Sequence, residues 1–382
     1  MKKKVFNALG LMSGTSMDGV DLSLIKSDGI SDFTSILNNF YEFDNDLRSK
    51  LIDLRDQLNS TMDLEKYSYD LKKLEREITL FYAELLNDFM KSQNYNIDLV
   101  GLHGQTIYHN VEKKISLQLG DGKLLSQLSQ KIVINDFRKN DLDNGGQGAP
   151  LVPIFHNVIA NKINKEFNLE FPINFLNIGG IANITTTANW KDLWNKKKIY
   201  AYDVGPGNCL MDQWLRNNTS KKYDKEGLIA RSGNTDKSIF NQAVDNFILK
   251  PNYEKSLDVK DFDISFAKGL SLENGLSTIT DFTAKLIADG ISYSQEKIKS
   301  KMSYWLVCGG GRKNKYLLET IKKNFREINL DPIEKYKMNG DFIESQAFAF
   351  LSIRSLEKMP ITFPSTTRCN EPITGGVIAE VI

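Results

Sequence analysis

The sequence predicts a mixed α/β protein of two lobes, and three observations lead there. Its 382 residues exceed one compact core of ordinary size and suit two lobes of roughly 100–200 residues each. An apolar strand, a small-residue turn and a second strand near the N-terminus are echoed from Ile173 onward. Between the two lies Asp143-Asn144-Gly145-Gly146-Gln147-Gly148-Ala149-Pro150, a glycine-rich break of the kind found where a chain crosses between lobes or lines a cleft. The expected division is therefore an N-terminal α/β lobe of residues 1–148 and a C-terminal α/β lobe of residues 149–382, with the final helix free to cross back to the first.

Taken in order, Val5 to Met12 is an apolar run, Ser13 to Gly19 a polar turn, and Val20 to Leu24 alternates with the period of a half-buried strand. Together they predict a β-hairpin, and Asp32 to Phe43 a third strand. Leu64, Tyr67, Leu71, Leu74, Ile78, Phe81, Leu85 and Phe89 then recur at three- and four-residue intervals, the stripe of one long amphipathic helix packing on a core. Ile132–Ile134 reads as a strand before the glycine-rich break. After it, Ile173–Ile178, the Gly179-Gly180 turn and Ile181–Thr187 repeat the opening pattern.

Composition excludes several functions. With 49 basic and 48 acidic residues, the chain carries a net charge of +1 and nothing that demands nucleic acid. No run approaches the ~18–20 apolar residues needed to cross a bilayer. Asn7, Gly10 and Ser13 interrupt the apolar stretch behind the Lys2-Lys3-Lys4 start, which argues against a secretory leader. Cys209, Cys308 and Cys369 lie far apart with no zinc spacing, so they read as reduced thiols of a cytoplasmic protein.

Chemistry concentrates at a few turns. Gly14-Thr15-Ser16 offers little bulk and two hydroxyls to a phosphate, and Asp18 is placed to bind a magnesium ion through water; the same residues also suit an ordinary hairpin tip. No GxxxxGK[ST] loop or proper GxGxxG fingerprint is present, which points away from the P-loop and dinucleotide folds. Asp203 ends a short apolar strand before Gly205-Pro206-Gly207-Asn208, where a carboxylate can take a proton from a nucleophile or cap the following helix. Leu306-Val307-Cys308 runs into Gly309-Gly310-Gly311 and then Asn314, a bare surface suited to adenosine and equally a strand-to-helix turn. His103 and Gln105, Arg138, Gln147 and Glu344 lie in polar clusters that suit a sugar, and Arg138 suits a carboxylate held by two parallel hydrogen bonds.

Seven motifs then occur in order: His103-Gly104-Gln105-Thr106, Gln118 to Gly122, Ile134 to Arg138, Gly145 to Leu151, Asn177 to Asn183, Asp203 to Asn208 and Gly309 to Asn314. With Gly10 to Gly19 and Phe363-Pro364-Ser365 they span essentially the whole chain, which in them resembles the anhydro-N-acetylmuramic acid kinases of peptidoglycan recycling. The resemblance implies a duplicated fold of the sugar kinase, actin and heat-shock chaperone ATPase superfamily with an interlobe cleft, ATP and Mg2+ as cofactors, and a homodimer. It implies Asp203 as general base, and phosphate or nucleotide binding by Ser13, Gly14, Thr15, Ser16, Met17, Asp18, Gly19, Gly179, Gly180, Gly205, Gly207, Asn208, Gly309, Gly310, Gly311 and Asn314. Sugar contacts are implied for His103, Gln105, Arg138, Gln147 and Glu344. Val204, where the family commonly has threonine, and Thr367-Arg368-Cys369, in place of a TGA-like ending, depart from the pattern. Two alternatives stay open: a levoglucosan-type anhydrosugar kinase, and an actin- or chaperone-like nucleotide switch.

Overall fold

A computed structural model describes residues 4–92, 95–187, 199–247, 253, 255–298, 304–325 and 328–381. The strands are β1 (Phe6–Ser13), β2 (Gly19–Ser27), β3 (Phe33–Glu42), β4 (Leu99–Asn110), β5 (Ile115–Leu119), β6 (Ile132–Asn135), β7 (Ile173–Ile178), β8 (Ile181–Thr186), β9 (Tyr200–Pro206), β10 (Tyr304–Cys308), β11 (Leu330–Pro332) and β12 (Val377–Ala379). The chain divides into two compact units, Met1–Val158 with Phe342–Ile382, and Ile159–Asp341. This division falls inside the helix Pro153–Phe167, ten residues beyond the boundary expected at 148, and it returns the last 41 residues to the first unit.

In the first unit, β1, β2 and β3 form an antiparallel meander, β4 pairs with β1 in parallel, and β6 pairs with β4 in parallel. β5 and β12 are antiparallel additions on β4 and β6. A core of Leu9, Leu11, Leu22, Leu24, Val100, Leu102 and Val133 from the sheet packs with Leu51, Ile78, Tyr82 and Leu86 from helices. The expected single long helix is two. Thr61–Lys66 starts on a Ser60/Asp63 capping box and ends at Tyr67, and Ser68–Ser92 begins at once after it, so the apolar stripe runs across a break.

The helix Ile343–Leu356 is buried along nearly its whole length and packs on β1, β2 and β4 of the same unit. Gly10 and Gly101, directly paired between β1 and β4, make that possible. A Cβ on Gly10 would lie 1.9 Å from the Ser345 carbonyl oxygen and one on Gly101 2.3 Å from that of Phe348. Two missing side chains thus bring helix backbone down onto strand backbone.

In the second unit β7, β8 and β9 form another antiparallel meander, and β10 and β11 add in parallel beside β7. The strand orders are β6-β4-β1-β2-β3 and β11-β10-β7-β8-β9, one topology twice, with the first strand of each unit at the centre. The pattern echo at Ile173 is therefore a duplication. Helix Leu272–Ile298 supplies Leu276, Ile279, Phe282, Ile287 and Ile291 to the second core, with Leu176, Ile184, Val204 and Trp305 from the sheet. No described helix is long and apolar enough to cross a membrane.

Candidate active-site residues

The tip between β1 and β2 is shaped by one buried side chain. Met17 adopts φ 54° and is wholly buried, and its amide donates to the Gly14 carbonyl at 3.2 Å, which closes the turn and leaves Thr15 and Ser16 exposed. Gln105, with no exposed surface, donates its Nε2 to that same carbonyl at 3.0 Å. Ser13 is buried with Oγ 3.0 Å from Tyr82 Oη, so it anchors the strand end. The Ser16 hydroxyl donates to the Asp18 carboxylate. A Cβ on Gly14 would meet nothing nearer than Ser16 Oγ at 3.7 Å, whereas one on Gly19 would lie 2.3 Å from the Tyr41 carbonyl oxygen. Gly14 is open to a ligand, and Gly19 is a packing glycine.

His103-Gly104-Gln105-Thr106 lies within β4. His103 is buried, tilted on the Phe348 ring at 4.4 Å, with Nδ1 2.8 Å from the Gly104 carbonyl oxygen and Nε2 2.8 Å from Arg138 Nη2. A carbonyl can only accept and a guanidinium only donate, so Nδ1 carries the proton and Nε2 is the acceptor. Burial, then the neighbouring Arg138 charge, holds the His103 pKa well below its ordinary value, against a smaller opposing effect of the Gly104 carbonyl. Arg138 also donates Nη1 to the Gly148 carbonyl at 2.6 Å.

The glycine-rich segment is a braced loop. Buried Asp141 accepts the Gly148 amide at 2.7 Å on Oδ2 and the Thr367 hydroxyl at 2.6 Å on Oδ1, and its carbonyl takes the Gly146 amide at 2.8 Å. The Gln147 amide donates to the Thr367 carbonyl at 2.8 Å. Thr367, which a TGA-like ending shares, holds this loop, and the departure shows at the next residue, where Arg368 stands in place of glycine at a left-handed φ of 70°. Glu344 lies partly exposed in the first turn of helix Ile343–Leu356.

In the second unit Asp203 sits inside β9, three residues before its end, opposite Asn183 at a register shift. It is 6% exposed, and its Oδ2 accepts from the Leu257 amide at 2.8 Å and the Ser256 hydroxyl at 3.1 Å. It caps no helix. The Gly179-Gly180 turn binds the Gly205-Pro206-Gly207 end of β9: Gly179 accepts the Asn208 amide and Gly180 the Gly207 amide, both at 2.8 Å. A Cβ on Gly207 would lie 2.2 Å from the Gly179 carbonyl oxygen, and one on Gly205 3.0 Å from Leu286 Cβ.

The three successive glycines divide the same way. Cβ atoms on Gly309 and Gly311 would strike the Asn177 side-chain oxygen at 2.5 Å and Ile178 at 2.2 Å, but one on Gly310 would meet only Asn208 Nδ2 at 3.7 Å. A short turn, Gly310–Lys313, intervenes before the helix Lys315–Asn324, and Asn314 is that helix's N-cap, accepting the Leu317 amide at 3.0 Å. Arg312, buried behind the glycines, pairs with Glu334 and Asp341 at 2.7 Å each.

Sequence reasoning passes over Ser256, Asp141 and Asp224. Asp224 carries the turn Lys225–Gly227, its carboxylate accepting the amides of Ile229 and Ala230 at 2.9 Å, and the Asp224/Gly227 spacing is a turn signal that could have been read. Ser256 lies in a stretch without periodicity and carries no such signal. Among the described residues no group of three or more His, Cys, Asp and Glu side chains is arranged to hold a metal ion.

A family model described as anhydro-N-acetylmuramic acid kinase matches residues 6–380. Curated relatives bearing that name include one from Pelagibacter ubique (strain HTCC1062), 50% identical over 380 residues and covering 99% of both chains. Another, from Agrobacterium fabrum (strain C58 / ATCC 33970), is 34% identical over 385 residues, again covering 99% of both. Among solved structures, an activator of 2-hydroxyisocaproyl-CoA dehydratase from Clostridium difficile with bound ADPNP aligns over 92% of this chain and 97% of its own at 12% identity and a TM-score of 0.38.

Proposed function

Because the chain belongs to the anhydro-N-acetylmuramic acid kinase family, we propose that it opens the 1,6-anhydro ring of 1,6-anhydro-N-acetylmuramic acid with water and phosphorylates O6 from ATP, giving N-acetylmuramic acid 6-phosphate and ADP in peptidoglycan recycling. The observations that carry this reading are the family match over residues 6–380 and the 50% identity to a relative of that name.

Asp203 is the general base. Two hydrogen bonds on Oδ2 hold its carboxylate plane, and a fixed base within a buried strand needs no reorganisation at the moment of reaction. The water oxygen bonds to the anomeric carbon as its proton passes to Asp203. The C1–O6 bond breaks, its electron pair moves to O6, and O6 bonds to the γ-phosphorus as the bond to the ADP oxygen breaks. Oxocarbenium character at the anomeric carbon is stabilised by the same carboxylate.

Gly14, Thr15 and Ser16 are assigned to the ATP phosphates because the tip is open and bears hydroxyls. Gly179, Gly180, Gly205, Gly207, Asn208 and Gly309–Gly311 are assigned to nucleotide binding, of which Gly179 and Gly310 leave room for a ligand. Asn314 holds the helix start behind them. Arg138 is assigned to the lactyl carboxylate, with Gln147 and Glu344 to sugar hydroxyls or water. Mg2+ fits Asp18: a partly exposed carboxylate beside the Ser16 hydroxyl is an oxygen donor set suited to a hard cation that keeps its waters. When bound, the ion neutralises phosphate charge. A homodimer in the cytoplasm and a functional division into two lobes follow from the family resemblance and belong to the same proposal.

The test is ADP release with Mg-ATP and the anhydromuramic sugar, beside levoglucosan, N-acetylglucosamine and no sugar, with products weighed by mass spectrometry. Turnover only with the anhydromuramic sugar, and a product heavier by phosphate plus water, is expected. Preference for levoglucosan, or hydrolysis without sugar, would replace this reading with the corresponding alternative.

A further inference from the structure

Arg138 is the side chain assigned to the substrate's carboxylate, and what orients it is visible. Its guanidinium is tied at both Nη atoms, Nη1 to the Gly148 carbonyl at 2.6 Å and Nη2 to His103 Nε2 at 2.8 Å. One tie is to a loop that Asp141 braces through the Gly148 amide. The other is to an imidazole set in the middle of β4, clamped between the Gly104 carbonyl on Nδ1 and the Phe348 ring, which itself packs against Phe137 at 5.3 Å, the residue before Arg138. A guanidinium has five N–H donors in a rigid fork, so fixing both Nη groups fixes the plane in which it can meet a carboxylate. An acceptor without charge is needed on Nη2, because an aspartate or glutamate there would itself neutralise the arginine and compete with the ligand.

We propose that His103 is a positioning residue that acts as a permanent neutral acceptor for Arg138, setting the guanidinium plane and thereby the enzyme's preference for an anhydrosugar that carries a carboxylate. This rests on the reading of the chain as a kinase of the anhydromuramic sugar, and it replaces the direct sugar contact expected of His103 from the sequence. His103 is 4% exposed and its two ring nitrogens are both engaged within the unit, so it has neither surface nor donor left for a sugar. Burial and the Arg138 charge both disfavour the imidazolium, so the acceptor persists across the neutral range. The geometry also separates His103 from Gln105, two residues along the same strand, which ties the Gly14 carbonyl instead. One strand thus orients a carboxylate reader and a phosphate turn through different side chains.

The experiment compares wild type, His103→Leu and His103→Gln. Steady-state constants are measured with 1,6-anhydro-N-acetylmuramic acid and with 1,6-anhydro-N-acetylglucosamine, which has the same bridge and N-acetyl group but no lactyl carboxylate; if the second sugar is not turned over, its inhibition constant against the first is used. Loss of a charge-assisted hydrogen bond predicts that His103→Leu raises KM for the carboxylate sugar ~10–100-fold, with kcat and the KM for ATP within about threefold and the constant for the second sugar unchanged. His103→Gln, whose amide oxygen can accept from Arg138, should restore most of the lost preference. Equal losses for both sugars, or a matching rise in the ATP KM, would overturn the proposal in favour of a purely structural histidine. If His103→Leu does not fold, unchanged preference would be required of His103→Gln and a lost preference there would count against the proposal. Failure of the functional reading looks different: wild type itself would then show no preference for the carboxylate sugar.

Discussion

The tip between β1 and β2 spans five residues, 14–18, with the hydroxyls of Thr15 and Ser16 exposed, while the topologically equivalent tip between β7 and β8 is two glycines whose carbonyls are spent on the amides of Gly207, Asn208 and Cys209. The first tip is held from below by Gln105 and Met17 and presents its chemistry outward. The second is held from the side by the end of β9 and so fixes the strand that carries Asp203. Duplication supplied one strand–turn–strand frame twice, and short-range hydrogen bonds left one copy with its hydroxyls exposed and made the other a brace.

The largest break in that comparison comes from the braced side. Asp203→Asn keeps the side-chain oxygen that accepts from Leu257 and removes only the base, so the variant should fold with wild-type circular dichroism and lose turnover by ~10²–10⁴ or more. Near-wild-type kcat would remove Asp203 from the mechanism.

Alanine at the glycines sharpens the contrast. Gly207→Ala and Gly311→Ala drive a Cβ to 2.2 Å from the Gly179 carbonyl oxygen and from Ile178, and should cost about 1–3 kcal/mol in denaturant unfolding. Gly14→Ala and Gly310→Ala have 3.7 Å of clearance, so they should leave stability within about 0.5 kcal/mol and instead raise the KM for ATP severalfold. Equal destabilisation by all four would show that the open glycines are not open to a ligand.

Acid separates the units as well, because all three histidines, His103, His109 and His156, lie in the first. Burial lowers the His156 pKa to about 3 and, with Arg138, that of His103 well below 6.5. Both take up a proton near pH 6.5 only when the chain unfolds, so this stabilisation is complete above pH 6.5 and is lost as pH falls toward the folded values. Each histidine contributes a slope of up to about 1.4 kcal/mol per pH unit in that window. Unfolding at pH 7.5 and 5.0 should show the loss, and His156→Gln should shrink it by about 2 kcal/mol; an unchanged difference would sink the assignment.

How much of this was legible follows from the range of the forces. The first meander, the restart at Ile173 and the core stripes are written in local periodicity, so strand positions were readable within a few residues. The break at Tyr67 was not, since the apolar stripe continues across it while a Ser60/Asp63 cap starts a separate helix. Asp203 was readable as an acid at the end of an apolar strand before a glycine turn, but its place within β9 depends on pairing with β8. Which glycines are open depends on what lies opposite, as with Gly10 against Ser345, 335 residues away in the sequence. The pairing of His103 with Arg138 was not readable, because Arg138 lies in the turn after β6, 35 residues away in the sequence.

The smallest effect tests the C-terminal departure. Thr367 braces the loop that Asp141 holds, and Arg368 pays for the next step of the chain with a φ of 70°. A left-handed conformation costs a residue with a Cβ roughly 1–2 kcal/mol, and glycine avoids that cost at the expense of greater freedom when unfolded. Arg368→Gly also gives up the Nη1 donation to the Ser365 carbonyl, a 3.3 Å hydrogen bond on a partly exposed side chain. Relief of the backbone strain predicts a net gain of about 0.5–1 kcal/mol in denaturant unfolding with kcat unchanged. A loss of stability would mean that the arginine side chain, and not Thr367 alone, holds the segment, and Arg368→Ala, which keeps the strain and removes the side chain, should then be worse than either.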